Sequence, residues 1–232
     1  MSIVGQIEKK TQERVVKLFR EQLGYDYLGD WTEREGNRNI EEELLRTFLR
    51  DRQGYDEALI VRALHLLDKA AGDTSKSLYD RNRAVYDLLR YGVKVRAEVG
   101  ENTQTVWLID WKRPEKNHFA VAEEVTVTGS DVKAHTKRPD VVLYVNGIAL
   151  GMLELKRSTV SVAQGIRQNL DNQKKVFIEH FFSTVQWLMA GNDTEGLRYG
   201  AIQTPEKYYL TWKEDSPIEN PLDRALVQLC SK

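Results

Sequence analysis

The sequence predicts an α/β domain, a mixed central sheet flanked by helices, with a helical part at its N-terminus. Three observations carry that expectation. Apolar residues recur at helical spacing through the first 90 positions, alternation at period two takes over at Gly92, and a helical stretch returns at 161–182 between strand-like runs. The chain has 232 residues, 41% of them hydrophobic and 30% charged. Such a composition folds into a globule and is neither disordered nor membranous.

The elements follow in order. Residues 6–23 set Val15, Val16, Leu18, Phe19 and Leu23 at helical spacing, and Gly24 stops the run. Two more helices are expected at 40–51 and 55–71, the second with Leu59, Ile60, Ala63, Leu64, Leu67 and Ala71 on one face before Gly72. A fourth, 75–90, carries Leu78, Val85, Leu88 and Leu89. No Pro/Gly/Ser linker follows, so residues 1–90 are expected to pack on a core formed by 91–215. Within that core, 93–99 and 103–110 read as strands joined at Glu101-Asn102, 119–129 as another, and 139–156 as a hairpin about Asn146-Gly147. Residues 161–182 read as a helix, 184–192 and 197–204 as strands, and 207–214 as a last short strand. A helix begins near Pro221, and 216–232 is expected to start a helical connection to a further region.

Charge and composition exclude several classes. Lys plus Arg is 34 and Asp plus Glu is 35, a net charge of −1, so overall charge does not point to nucleic acid. The distribution is uneven: residues 131–180 hold eight Lys/Arg against five Asp/Glu. No apolar run reaches the roughly 18 residues that a spanning helix needs. The first residues lack a secretory h-region, and a cytoplasmic location is the expectation. Cys230 alone forms no internal disulfide and no Cys-based zinc site. His65, His118, His135 and His180 make no pair at helical ligand spacing. Trp31, Trp107, Trp111, Trp187 and Trp212 are expected to pack in the core or in hairpins. Neither a glycine-rich dinucleotide fingerprint nor a Ser–His–Asp arrangement is present.

The informative stretch is Arg138-Pro139-Asp140 followed by Glu154-Leu155-Lys156. These charges end two otherwise apolar strands, VVLYV and IALGML. Burying a carboxylate or ammonium there costs several kcal/mol unless it is paired or metal-bound. Glu154 and Lys156, two apart on a strand, point to one side. Two carboxylates and a lysine on one face make a hard-cation site of the kind Mg²⁺ takes, suited to metal-assisted phosphodiester hydrolysis. The same residues also read as a turn cap at Asp140 and a surface pair Glu154–Lys156, but apolar flanks on both strands argue for a sheet covered on both faces. Register is the test. A two-residue Asn146-Gly147 loop sets Asp140 opposite Leu153 and turns Glu154 away, so a shared site requires an odd-length loop or a bulge.

With these residues in view, the sequence resembles a known family. The PD…(E/D)xK pattern is similar to that of the restriction-endonuclease-like nucleases. The longer string RPDVVLYVNGIALGMLELK, with SVAQGIRQNLDNQ after it and FAVAEEVTV before it, resembles the N-terminal endonuclease domain of the type I restriction enzyme R (HsdR-type) subunit. The resemblance implies a restriction-endonuclease-like fold and Mg²⁺-dependent cleavage of double-stranded DNA. It implies that Asp140 and Glu154 bind the metal and that Lys156 is the catalytic lysine. The family carries a Gln-xxx-Tyr motif on the following helix; Gln168 matches its glutamine, and Asn172 stands at its tyrosine position. A first-helix glutamate helps bind metal in some members of the superfamily, and Glu13 is the candidate. Lys133, Lys137, Arg138, Arg157, Lys174 and Lys175 are candidates for the DNA backbone, alongside the reading of a solvated basic loop. The resemblance also implies modification and specificity subunits as partners and an ATP-driven motor. No GxxxxGK[ST] loop occurs in these residues, so ATP is expected to act only through a motor region outside them. A repair or junction-resolving nuclease of the same superfamily, or a DNA-contacting or assembly module with a vestigial site, are the alternatives.

Overall fold

The computed structural model describes residues 3–98, 100–130 and 134–232. Its centre is a mixed six-stranded sheet. In spatial order the strands are β1 (Asp26–Asp30), β4 (Phe119–Glu123), β5 (Val141–Val145), β6 (Ile148–Leu155), β7 (Trp187–Asn192) and β8 (Gly196–Gly200). β1 runs parallel to β4 and β6 parallel to β7, while the other pairs are antiparallel. The strands β2 (Val93–Val95) and β3 (Gln104–Val106) form a separate two-stranded sheet. The helices are α1 (Ile3–Lys17), α2 (Glu42–Thr47), α3 (Glu57–Gly72), α4 (Leu78–Tyr91), α5 (Val162–Asn172) and α6 (Pro221–Cys230). The restriction-endonuclease-like α/β architecture expected from the sequence fits this arrangement.

Both faces of the sheet are covered, and side-chain alternation assigns residues to each. Val121, Val141, Leu143, Leu153 and Leu155 meet Val15, Val16 and Phe19 of the first helix and Leu222 and Leu226 of α6. Ala120, Ala122, Val142, Tyr144 and Met152 on the other face meet Val162 and Ile166 of α5 together with Phe181 and Phe182. A third cluster joins α2, α3 and α4 to β2, β3 and Ile148 at the start of β6.

The β5–β6 hairpin sets up the site. Asn146 (φ 53°) and Gly147 (φ 82°) make a two-residue turn with both central residues left-handed, the geometry that matches strand twist. A Cβ on Gly147 would lie 2.6 Å from the Glu41 carbonyl, so the turn has room only for glycine. Val145 pairs with Ile148 and Tyr144 with Ala149, as that turn dictates. The register then slips: Leu143 pairs with Gly151, Val142 with Met152 and Val141 with Leu153. Leu150 is the extra residue, a bulge. One step beyond Val141↔Leu153, Asp140 falls opposite Glu154. The even loop is kept and the bulge supplies the odd residue.

Three local expectations are corrected, and one strand is added. The helix expected over 161–182 ends at Asn172, where the Gln173 side chain donates to the Asn169 carbonyl (3.0 Å) and competes for a helical acceptor. The last strand expected at 207–214 is a single turn of 3₁₀ helix at Glu206–Tyr208 plus an isolated bridge between Leu210 and Tyr199. The strand β1, within GYDYLGDW, has no apolar run to announce it and joins the sheet through its backbone. Trp107, Trp111 and Trp187 are not core residues but 39%, 48% and 42% exposed.

Candidate active site

The site is assembled where β4 and β6 end and β5 begins. Asp140 precedes β5; its carbonyl accepts the Glu124 N–H (2.9 Å), and its Oδ2 accepts the Leu155 N–H (2.6 Å). Glu154 shares the α5 face of the sheet with Met152, and Lys156 continues that face. Lys156 donates its backbone N–H to Gly191 (2.9 Å), which pins the end of β6 to β7. α5 approaches closely: a Cβ on Gly165 would stand 3.6 Å from the Glu154 Cβ. That proximity lets Gln168 Nε2 donate to Glu154 Oε2 at 2.7 Å. The sequence-named Asp140, Glu154, Lys156 and Gln168 are therefore brought to one place.

Glu154 is fully buried, and its Oε1 has no hydrogen-bond partner. Burial pushes its carboxyl well above the usual carboxylate range; the neighbouring Asp140 pushes the same way by charge and by hydrogen bonding, and Lys156 opposes both. Glu124 adds to the negative field. Two adjacent carboxylates, one with a buried unsatisfied oxygen, suit a hard divalent cation, which prefers oxygen donors. Among the described residues no group of three or more His, Cys, Asp or Glu has metal-holding geometry. The protein would thus supply two carboxylates and leave the remaining positions to water, as Mg²⁺ favours.

Asp140 opens into a polar cleft of about 740 Å³ whose walls include Lys9, Glu13, Asp30, Glu124 and Arg138. Glu13, exposed on α1, thus faces the same space as Asp140. Glu21 instead lies within 3.8 Å of Lys17 along its own helix. Arg138 pairs with Glu124 at 2.7 Å. Lys137 turns away to sit over the Phe177 ring (3.9 Å), and the His135 N–H donates to the Val176 carbonyl. These contacts bring segment 134–137 beside the loop that carries Lys174 and Lys175. Lys174 pairs with Asp171 at 2.5 Å, Lys175 is exposed, and Arg157 is half-buried after Lys156. Lys133 lies outside the described residues. Asn172, at the family's tyrosine position, is buried with both amide atoms unpartnered.

Glu123 and Glu124 stand beside the site without belonging to the motif legible in the sequence. Two carboxylates ending the apolar run FAVA carry the same signal as Asp140 and Glu154. Glu124 adopts a left-handed backbone (φ 51°) next to the site, a conformation uncommon outside glycine. Glu123 accepts from Gln12 Nε2 (3.0 Å) and Tyr27 Oη (2.5 Å), tying α1 and β1 to the cleft wall.

Comparison with known proteins gives the family of the chain. The family described as type I restriction enzyme R protein N terminus matches residues 5–207. The chain belongs to that family. It is also 28% identical, over 135 residues, to a protein of Methanocaldococcus jannaschii described as "Putative type I restriction enzyme MjaIXP endonuclease subunit". That match takes in 57% of this chain and 13% of the relative, so the chain spans a small part of the relative's length. Among the described residues no helix is long and apolar enough to cross a membrane.

Proposed function

We propose that this chain is a Mg²⁺-dependent endonuclease domain that cleaves double-stranded DNA, a type I site-specific deoxyribonuclease module within a restriction R subunit. The observation that carries the reading is the register: a single bulge sets Asp140 against Glu154 on the face that Lys156 and Gln168 share. Asp140 and Glu154 would hold the cation. When bound, Mg²⁺ polarises a phosphoryl oxygen and lowers the pKa of a coordinated water. Lys156 places an ammonium at the end of the same strand, where it balances charge on the phosphate and orients the attacking water. Gln168 fixes the Glu154 carboxylate so that the other oxygen faces the cation. Glu13, on α1 across the cleft, would reach the cation through its coordinated waters rather than as a third direct carboxylate. Arg138, Arg157, Lys137, Lys174, Lys175 and Lys133 supply backbone contacts that position the duplex without reading its sequence.

The modification and specificity subunits of the complex, and an ATP-driven translocase beyond these residues, are the partners this reading assigns, in the cytoplasm. The near-neutral charge supports it, because other parts would then supply most of the grip on DNA. The test is cleavage of supercoiled plasmid by the intact R subunit with its partner subunits, ATP and Mg²⁺. Lys156→Ala should slow cleavage by about 10²–10³-fold while leaving metal binding in place. Parent-like cleavage by that variant would overturn the assignment of Lys156.

A further inference from the structure

A second built hollow lies away from the carboxylates. It measures about 320 Å³ and opens between the C-terminal end of α4 and the loop after β3. Trp107 and Trp111 wall it, and Arg90, Lys112 and Arg113 edge it. Its size is at the lower end of the range for small-ligand sites.

The loop that carries the two indoles is firmly held. Asp110, 7% exposed, accepts the backbone N–H groups of Lys112 (3.2 Å) and Arg113 (3.0 Å). Asn117 Oδ1 accepts from the Asp110 N–H and from Asn146 Nδ2, both at 2.8 Å, which ties the loop to the hairpin turn. Trp111 Nε1 donates to the Leu89 carbonyl (2.8 Å), and the Arg90 guanidinium stands 5.6 Å from the Trp111 ring centroid. A rigid frame that keeps two large flat rings in water is the preorganised half of a stacking interaction. Charge narrows the class of partner. Asp110 is paired with Arg113 at 3.0 Å, so Arg90 and Lys112 leave the hollow net positive.

We propose that this hollow binds an unstacked base of single-stranded nucleic acid, with the base against the indoles and flanking phosphates at Arg90 and Lys112. Rings and cations together are what such a strand offers its complements to. A duplex keeps its bases within the stack and presents none. The hollow adjoins the turn end of the β5–β6 hairpin and the carboxylates its other end, about 20 Å apart at a strand's rise per residue. It is therefore separate from the candidate active site, and the proposal holds whether or not that site cleaves DNA.

The test is binding of fluorescein-labelled oligothymidylate to the 232-residue chain in EDTA, read by anisotropy and by tryptophan emission. Trp107→Ala should weaken binding by about 5- to 150-fold, the range a stacked base spans. Lys112→Ala should weaken it and reduce the slope of log affinity against log salt by about 1. An abasic strand, a duplex of the same length and thymidine monophosphate should all bind more weakly. Lys112 is exposed, so its variant carries the test if Trp107→Ala fails to fold. Failure of the oligonucleotide to bind, parent-like binding by Lys112→Ala, or equal binding of the abasic strand, the duplex or the mononucleotide would overturn the proposal.

Discussion

At the scale of residues, a fully buried glutamate held beside an aspartate is the feature that ordinary folding does not favour. A buried carboxyl next to another holds its proton unless positive charge is brought up to it, and Lys156 is the protein's own such charge. Gln168 offsets part of the remaining cost by donating to one oxygen. Removing it in Gln168→Ala should lower divalent-metal affinity by about 10–100-fold, measured by calorimetry, without abolishing binding. His180 gives a pH prediction. Burial, then the Arg81 charge, holds its imidazole below the usual histidine value, and Glu179 opposes. A histidine that resists protonation in the fold but accepts it when unfolded loses stability as pH falls through about 6.5. The His180 contribution should therefore lower the urea midpoint between neutral and mildly acidic pH, read as a smaller drop in His180→Gln than in the parent. Cys230 is buried and its thiol pushed up to about 12, so thiol reagents should modify it only on unfolding.

At the scale of elements, the hairpin decides whether a site exists. Asn146-Gly147 was readable in the sequence as an even turn, and an even turn alone would have parted the two acids. The bulge at Leu150 was not readable from periodicity, because both faces of β6 are apolar and a slip leaves no polar residue out of place. The glycine after it, Gly151, was the available signal, since an isolated glycine inside a strand often marks a bulge. Gly147→Ala should cost about 1–3 kcal/mol through the left-handed conformation alone and more through contact with the Glu41 carbonyl, read as a fall in the urea midpoint. The helices were legible because each buries a single stripe: Ile60, Ala63, Leu64 and Leu67 all lie inside. β1 was not, because DYLGD binds by backbone pairing to β4 and shows no alternation. Of the site, Asp140, Glu154, Lys156 and Gln168 are legible in the sequence through their spacing and family resemblance; Glu123 and Glu124 end an apolar strand in the same way but lie outside that motif.

At the scale of the molecule, helices close both faces of the sheet, and the α2–α4 cluster reaches the hairpin through Ile148. Arg14 on α1 bridges Asp193 after β7 and Asp223 on α6, lashing the two ends of the chain over one face. Such shared packing predicts a single thermal transition, coincident in far- and near-ultraviolet circular dichroism; two separated transitions would mean that the helical part folds independently. The sheet's second role is to carry two carboxylates to one edge of a polar cleft, and the proposed nuclease chemistry depends on their acting together. Calorimetric titration of Mg²⁺ or Mn²⁺ into the chain tests this most directly, with Asp140→Ala and Glu154→Gln in parallel. Saturable binding by the parent chain and its loss in each variant, with their melting transitions retained, is the expected result. Binding of equal affinity by the parent and both variants, or none by the parent, would contradict it.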